Sequence, residues 1–191
     1  MRNVILAGVG GQGLLSIAAV LGEAARRRGL HLKQAEVHGM AQRGGVVQSH
    51  VRYADRPIHS DLIRVGTADL ILSLEPMEAL RYVPFLSASG ALVTSSSPFK
   101  NVPDYPDPSK ILGEISEIPN HRLIDANELA EAAGTVRSAN MVMLGAGVPF
   151  LGLSEDVLIA GIEAVFAGKS SNVIATNLEA FRLGLGAVQA E

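Results

Sequence analysis

The chain has 191 residues, 48% of them hydrophobic and 18% charged, with a formal net charge of −3 and a pI near 6.0. The hydrophobic fraction excludes general disorder and can build a sizeable core, while the acidic balance argues against nucleic acid or an anionic membrane surface as a partner. Cysteine is absent, which excludes disulfides, a thiolate nucleophile and an iron–sulfur cluster held by thiolates of this chain.

The sequence gives no indication of an export or membrane segment. It contains no uninterrupted apolar run of about 20 residues, the length that crosses a bilayer. A strand pattern begins at Asn3, without a signal-peptide pattern. We therefore expect a cytoplasmic location.

The first predicted elements are a strand, a tight turn and a helix. An apolar run over residues 4–7 passes into four glycines, and an apolar helical pattern extends from Gln12 to about residue 28. Gly8 is expected to take the turn, Gly10 and Gly11 to leave room for a ligand or another backbone, and Gly13 to let the helix lie close to the strand. The spacing matches G-x-G-x-x-G, and N–H groups at a helix start suit phosphate or carboxylate. Dinucleotide binding, contact with another anion or a partner, and a purely structural turn all remain open.

A second strand is predicted over residues 30–37. It ends near Glu36, which lies 23 residues after Gly13, and an acidic residue near this place holds the ribose hydroxyls in dinucleotide folds. Residues 37–45 then form a polar loop with three glycines and one each of His, Gln and Arg. This loop is more elaborate than the end of a strand requires.

The rest of the chain alternates strand and helix patterns until it becomes entirely helical from about Arg137. Strands are predicted at 46–53, 68–74, 90–95 and 122–124, and helices starting at 75–76 and over 109–118, 127–133, 138–151, 154–166 and 171–188. Four prolines between Ser97 and Pro108 predict an extended surface loop. The alternation predicts a single-domain α/β fold with a mostly parallel, Rossmann-like sheet flanked by helices and a helical C-terminal third.

Several motifs together resemble a known family. They are the glycine turn at 8–13, the loop at 36–45, Ser49-His50-Val51-Arg52, Ser138-Ala139-Asn140-Met141 and Leu144-Gly145-Ala146. The sequence is similar along its whole length to the gamma-type subunit of 2-oxoacid:ferredoxin oxidoreductases, and within it to the beta subunit of indolepyruvate ferredoxin oxidoreductase. The resemblance implies that residues 1–191 form one pyruvate/ketoisovalerate oxidoreductase gamma-type domain.

The resemblance also implies a division of labour. A larger partner subunit carries thiamine diphosphate, Mg²⁺ and 4Fe–4S clusters, decarboxylates a 2-oxoacid of the arylpyruvate type oxidatively to an acyl-CoA with coenzyme A as co-substrate, and passes electrons to ferredoxin. This chain is then the non-cofactor-bearing subunit, without a catalytic residue or a metal site and inactive alone. An apolar helical C-terminal third leads us to expect self-association when the chain is isolated.

Through the resemblance, the polar loop is expected to face the partner subunit or its active site, with contacts from Glu36, His38, Gly39, Met40, Gln42 and Arg43. The alternative is that His38 and Arg43 only cap the loop ends and pair with nearby carboxylates. His50 is interpreted as a hydrogen-bonded structural histidine, and Asn140 as a helix-start or packing residue. His31, His59 and His121 lack the spacing of metal ligands.

A second function from a different class is an autonomous nucleotide-binding oxidoreductase of the NAD or FAD type. It needs a substrate domain with a catalytic acid or base, and the sequence contains no second domain pattern. A third possibility is a binding module without activity. Gly168-Lys169-Ser170 resembles the end of a Walker A loop, but Glu163 stands where its first glycine should be.

Overall fold

A computed structural model of the chain describes residues 1–39, 44–100 and 102–189. Its centre is a six-stranded sheet in the order β2-β3-β1-β4-β5-β6. The strands are β1 (Arg2–Val9), β2 (His31–His38), β3 (Val46–Ala54), β4 (Ala68–Ser73), β5 (Leu86–Ser95) and β6 (His121–Ile124). The helices are α1 (Leu14–Arg27), α2 (Pro76–Arg81), α3 (Pro108–Ser116), α4 (Ala126–Ala132), α5 (Ala139–Leu151), α6 (Glu155–Phe166) and α7 (Ser171–Gln189). Short 3₁₀ turns occur at Val83–Phe85 and Val136–Ser138.

The sheet is mostly parallel, as the sequence predicts. β1, β4, β5 and β6 are parallel to one another, whereas β3 is antiparallel to both β1 and β2. Because two reversals restore the direction, β2 runs the same way as β1, and β3 is the one reversed strand of the six described. β3 follows β2 directly, without a crossover helix, and is inserted between β2 and β1.

Apolar side chains alternate between two cores on opposite faces of the sheet. Val4 and Leu6 of β1 face α1 and α5, while Ile5 and Ala7 face α2 and α3, and all four are fully buried. A strand covered on both faces needs apolar residues at consecutive positions, which is why β1 and β4 appear in the sequence as continuous apolar runs. The helical C-terminal third is confirmed, since α5, α6 and α7 complete the larger core.

Several element boundaries differ from the predicted ones by one or more residues, and two of these differences have a local explanation in a glycine. α1 begins at Leu14 instead of Gln12, because Gly13 has φ +84° and so ends the turn in the left-handed region. β5 begins at Leu86, four residues before the predicted start at Gly90. Gly90 lies within that strand, where a Cβ would stand 2.6 Å from the carbonyl oxygen of Ala68 and the register between β4 and β5 shifts.

Two glycines allow α5 and α7 to pack backbone against backbone. A Cβ on Gly145 would stand 2.0 Å from the carbonyl oxygen of Phe181, and one on Gly184 would stand 1.9 Å from that of Val142. Neither oxygen belongs to a flexible side chain, so the two helices would have to separate. Gly186, two residues further along α7, is exposed and has nothing within 4 Å of its Cβ position.

The variant Gly184→Ala is expected to lower the free energy of unfolding by about 1–3 kcal/mol or more, because the added methyl overpacks a helix interface. The matched variant Gly186→Ala adds the same methyl to the same helix in open space. It should raise stability by roughly 0.5–1 kcal/mol through the better helix propensity of alanine. Urea denaturation of both variants measures the difference, and equal stabilities would contradict the close α5–α7 contact.

Candidate functional site at the carboxyl edge of the sheet

A cleft of about 900 Å³ lies where the parallel strands β1, β4 and β5 end. In α/β proteins this edge is where ligands bind. The walls come from the glycine turn and first turn of α1, the segment after β5, the Val136–Ser138 turn, and the starts of α4, α5 and α7. We call it the carboxyl-edge cleft.

The expectation that Gly8 takes the turn is wrong, because Gly8 lies within β1. Its missing side chain makes room for Gln12, since a Cβ on Gly8 would stand 2.8 Å from the Gln12 Oε1 atom. That oxygen accepts a hydrogen bond from the Val9 N–H at 2.7 Å, and the Gln12 Nε2 donates to the Leu74 carbonyl at 3.0 Å. Gln12 therefore ties the end of β1 to the residue that follows β4.

Gly10 approaches another backbone, and this backbone belongs to the same chain. The Gly10 N–H donates to the Gly45 carbonyl at 2.8 Å, and the Gly44 N–H donates to the Gly10 carbonyl at 3.2 Å. Gly11 has φ +101° and no atom within 4 Å of its Cβ position, and it lines the cleft. Of the two glycines expected to leave room, Gly11 opens onto the cleft and Gly10 pairs with the loop that precedes β3.

Gly13 and Asn140 join α1 to α5. A Cβ on Gly13 would stand 2.6 Å from the Asn140 Nδ2, which donates to the Gly13 carbonyl at 3.1 Å. The Asn140 Oδ1 accepts from the Met141 N–H at 3.0 Å, and the residue is 6% exposed. Asn140 is thus a packing residue at the start of α5. The absence of a Cβ at Gly13 makes room for Asn140 of that helix, and not, as expected, for close packing of α1 on β1.

The cleft has a positive electrostatic character in an acidic chain. Among the described residues that line it, Arg137 and Lys169 are the only charged side chains, and the remaining polar ones are hydroxyls and amides. The amino-terminal ends of α1, α5 and α7 open onto it, each adding partial positive charge. The Leu14 and Leu15 N–H groups have no acceptor within the described part of the chain. The cleft therefore suits an anionic ligand. Sequence reasoning missed Arg137, which stands in no recognisable motif, and it set Lys169 aside with the incomplete Walker A pattern at Gly168-Lys169-Ser170.

The described residues of the predicted loop, Glu36, His38 and Gly39, are not among those that line the cleft. Glu36 and His38 are on β2, at the edge of the sheet, and the His38 Nε2 pairs with the Glu36 Oε1. Glu36 is opposite Ser49 of β3, which is opposite Leu6 of β1, so one whole strand separates it from β1. With strands about 4.8 Å apart, the two backbones are roughly 10 Å from each other.

This separation overturns the argument that Glu36 holds a ribose beside the glycine turn. Gly39 continues the β2–β3 ladder, with its N–H donating to the Val46 carbonyl at 2.8 Å. Met40, Gln42 and Arg43 lie outside the described residues, so their predicted contact with a partner subunit stays a prediction.

His50 has the expected structural surroundings. It is 6% exposed, its Nδ1 accepts a hydrogen bond from the Ile63 N–H at 3.0 Å, and its ring meets Phe85 edge-on. Burial, with a smaller contribution from the charge of Arg52, lowers the pKa of His50 and keeps the ring neutral at pH 7.

Two fully buried carboxylates beside the cleft, Glu75 and Glu78, were not identified from the sequence as a buried pair. Glu75 is the N-cap of α2, as its position before Pro76 predicts, and its Oε2 accepts from the Glu78 N–H at 2.8 Å. The Arg81 Nε lies 2.9 Å from the Glu78 Oε2, but neither Glu78 oxygen has a well-formed hydrogen bond within the described residues. Burial raises the pKa of Glu78, the Arg81 charge opposes this rise and Glu75 adds to it.

Within 1–39, 44–100 and 102–189, no group of three or more histidine or carboxylate side chains is arranged to hold a metal ion. No helix in these ranges has the length and apolar character to cross a membrane.

The variant Glu78→Gln is expected to be more stable than the wild type at pH 7. A raised pKa in the folded state means that folding disfavours the ionised form, so wild-type stability falls as pH rises from the unfolded pKa towards the folded one. The difference in Tm should therefore be present at pH 7 and disappear below about pH 4. The exposed variant Glu114→Gln is the control, and a difference that persists at pH 3.5 would contradict this account.

A model of one protein family matches most of the chain. It is described as pyruvate ferredoxin/flavodoxin oxidoreductase, and it matches residues 3–187. The chain is 35% identical over 189 residues to the indolepyruvate oxidoreductase subunit IorB of Archaeoglobus fulgidus, covering 95% of this chain and 92% of the relative. It is 37% identical over 195 residues to IorB of Methanothermobacter thermautotrophicus, covering 97% and 96%.

Two solved structures have the same fold. The gamma subunit of a keto/oxoacid ferredoxin oxidoreductase from Geobacter sulfurreducens aligns with a TM-score of 0.72 and 23% identity over 100% of both chains. A 2-oxoglutarate:ferredoxin oxidoreductase from Magnetococcus marinus, solved with 2-oxoglutarate, coenzyme A and succinyl-CoA bound, aligns with a TM-score of 0.78 and 24% identity. That alignment covers 100% of this chain and 31% of the other, so the fold of this chain corresponds to one part of a larger polypeptide there.

Proposed function

The chain belongs to the pyruvate ferredoxin/flavodoxin oxidoreductase family, and we propose that it is the small, non-cofactor-bearing subunit of an indolepyruvate-type 2-oxoacid:ferredoxin oxidoreductase. The observation that carries the proposal is the nearly full-length similarity to subunits named for indolepyruvate. The similarity extends over most of both chains, so the proposal concerns the whole small subunit and not a shared fragment.

The residues of this chain do not fit the cofactors that such a complex uses. Iron–sulfur clusters need thiolate ligands, and the sequence has no cysteine. The described residues also lack a group arranged for a metal ion. We therefore assign thiamine diphosphate, Mg²⁺ and the 4Fe–4S clusters to a larger partner subunit, with ferredoxin as the acceptor of the complex.

The contribution of this chain is to bind the co-substrate coenzyme A at the carboxyl-edge cleft. Coenzyme A carries several phosphate charges on a mixed polar and apolar body, and the cleft combines Arg137, Lys169 and helix amino-termini with partly exposed apolar side chains. Gly11 and the first turn of α1 would face a phosphate. The 2-oxoglutarate:ferredoxin oxidoreductase in which 31% of one chain has this fold was solved with coenzyme A bound, which agrees with this assignment.

The partner subunit is proposed to cover the edge of the sheet at β2. This strand is exposed along most of its length, and the apolar side chain of Val37 is 55% exposed. The loop with Glu36, His38, Gly39, Met40, Gln42 and Arg43 belongs to the same interface in this proposal. Exposed strand edges and apolar side chains also favour self-association of the chain when it is isolated.

The alternative of an autonomous nucleotide-binding oxidoreductase is not favoured. It depended on the pairing of the glycine turn with Glu36, and β3 separates the two. The family match and the similarity to named subunits point to a heteromeric complex instead.

Reconstitution tests the proposed function. The purified chain alone should be colourless and should not oxidise or reduce substrates, because the necessary cofactor ligands are missing. Mixed with the thiamine diphosphate-containing subunit, it should support reduction of ferredoxin or a viologen dye that depends on indolepyruvate and coenzyme A. Turnover by the isolated chain with NAD(P)H and oxo compounds, with none by the pair, would instead establish the dehydrogenase.

The variant Arg137→Ala tests the cleft within that complex. Loss of one charge-assisted contact with a phosphate should raise the KM for coenzyme A roughly tenfold to a hundredfold, with little change in the KM for indolepyruvate. The matched variant Arg182→Ala removes the same charge from the surface of α7, outside the cleft lining, and should leave both constants unchanged. Equal KM values for coenzyme A in the two variants would show that Arg137 does not contribute to coenzyme A binding.

A further inference from the structure

The wall of the cleft formed by residues 97–99 lies between β5 and α3, outside any helix or strand. Phe99 is 44% exposed and lines the cleft, so its ring is a free apolar surface there. A wall without regular secondary structure has few backbone hydrogen bonds of its own, and its position depends on what other elements provide.

Ser97, at one end of this wall, bonds to Ser95 and Asp125, and a buried carboxylate connects the Phe99 end to the body of the protein. The Glu75 Oε1 accepts the Phe99 N–H at 3.4 Å and also accepts the hydroxyl hydrogen of Tyr105. Its other oxygen, Oε2, accepts the Glu78 N–H at the start of α2. The same side chain thus contacts the wall, the chain six residues beyond it and the first turn of a helix.

Glu75 is itself held in place at the end of β4. The Glu75 N–H donates to the Ser73 Oγ at 3.2 Å, and the Ser73 hydroxyl donates to the Glu75 carbonyl at 2.6 Å. Both residues are buried, and Leu74 between them contributes to the cleft lining and accepts the Gln12 amide. The carboxylate therefore has a defined position relative to the strand ends that form the floor of the cleft.

We propose that Glu75 is a positioning residue that holds Phe99 at the carboxyl-edge cleft, so that the Phe99 ring contacts the apolar or planar part of the bound ligand while Arg137 and Lys169 bind its phosphates. The identity of the ligand as coenzyme A rests on the proposed function above. The proposal that Glu75 and Tyr105 hold the wall in place does not depend on the identity of the ligand.

Tyr105→Phe is the direct test, because it removes one hydroxyl from a partly exposed side chain and leaves the Glu75 cap of α2 intact. Amide hydrogen exchange at Phe99 and Lys100 of the isolated chain should become several-fold faster. In the reconstituted complex, the KM for coenzyme A should rise roughly threefold to tenfold with kcat unchanged, because a misplaced wall weakens binding and not chemistry.

Tyr82→Phe is the matched control. Tyr82 follows α2 and is buried, and its hydroxyl has no hydrogen-bond partner within the described residues. This variant should change neither the amide exchange at Phe99 and Lys100 nor the KM for coenzyme A. A second variant, Phe99→Ala, removes the exposed ring without touching the carboxylate and should raise the KM for coenzyme A by a similar factor.

The outcomes separate the two proposals. If the wild-type complex shows no turnover that depends on coenzyme A, the proposed function fails, while the exchange experiment on the isolated chain still decides whether Tyr105 fastens the wall. If exchange in Tyr105→Phe equals that in Tyr82→Phe, the fastening is overturned. If Phe99→Ala leaves the KM of an active complex unchanged, the contact between Phe99 and the ligand is overturned.

Discussion

The hydrogen bonds of Gln12 organise the end of the sheet where the cleft lies. Its amide bridges the Val9 N–H and the Leu74 carbonyl, so it joins the ends of two neighbouring parallel strands. The space for this side chain exists because residue 8 is a glycine. Asn140 then joins the following turn to α5 through the Gly13 carbonyl. The strand ends, the start of α1 and the start of α5 thus take one defined arrangement, from which the cleft geometry follows.

The sequence was sufficient for the fold class because local apolar patterns determine it. The continuous apolar runs of β1 and β4 and the apolar C-terminal helices indicated a covered, mostly parallel sheet, which is confirmed. The sequence did not indicate that β3 is inserted between β2 and β1, because strand order depends on pairing between distant segments. That one unpredicted insertion removes Glu36 from the glycine turn, where a simple parallel order would have placed it.

The site was harder to predict than the fold, because it too depends on contacts between segments that are distant in sequence. Arg137 and Lys169 are far from the glycine motif in sequence, Arg137 stands in no motif and Lys169 only in an incomplete one. The packing of α5 and α7 brings both to the cleft. Glu75 was predicted to start a helix. Its hydrogen bonds with Phe99 and Tyr105, which both follow the next strand in the chain, were not predicted. In the proposed function, ligand binding depends on charge placed by tertiary structure, since the cleft collects cations and helix amino-termini in a protein whose net charge is negative.

In the proposed complex, this chain supplies the anion-binding cleft for coenzyme A, and the redox cofactors belong to another subunit. The most direct measurement is a structure of the assembled pair with coenzyme A bound. We expect phosphate density beside Arg137, Lys169 and the first turn of α1, with the Phe99 ring against the ligand. Coenzyme A bound entirely within the larger subunit, with this cleft empty or filled by a segment of the partner, would contradict it.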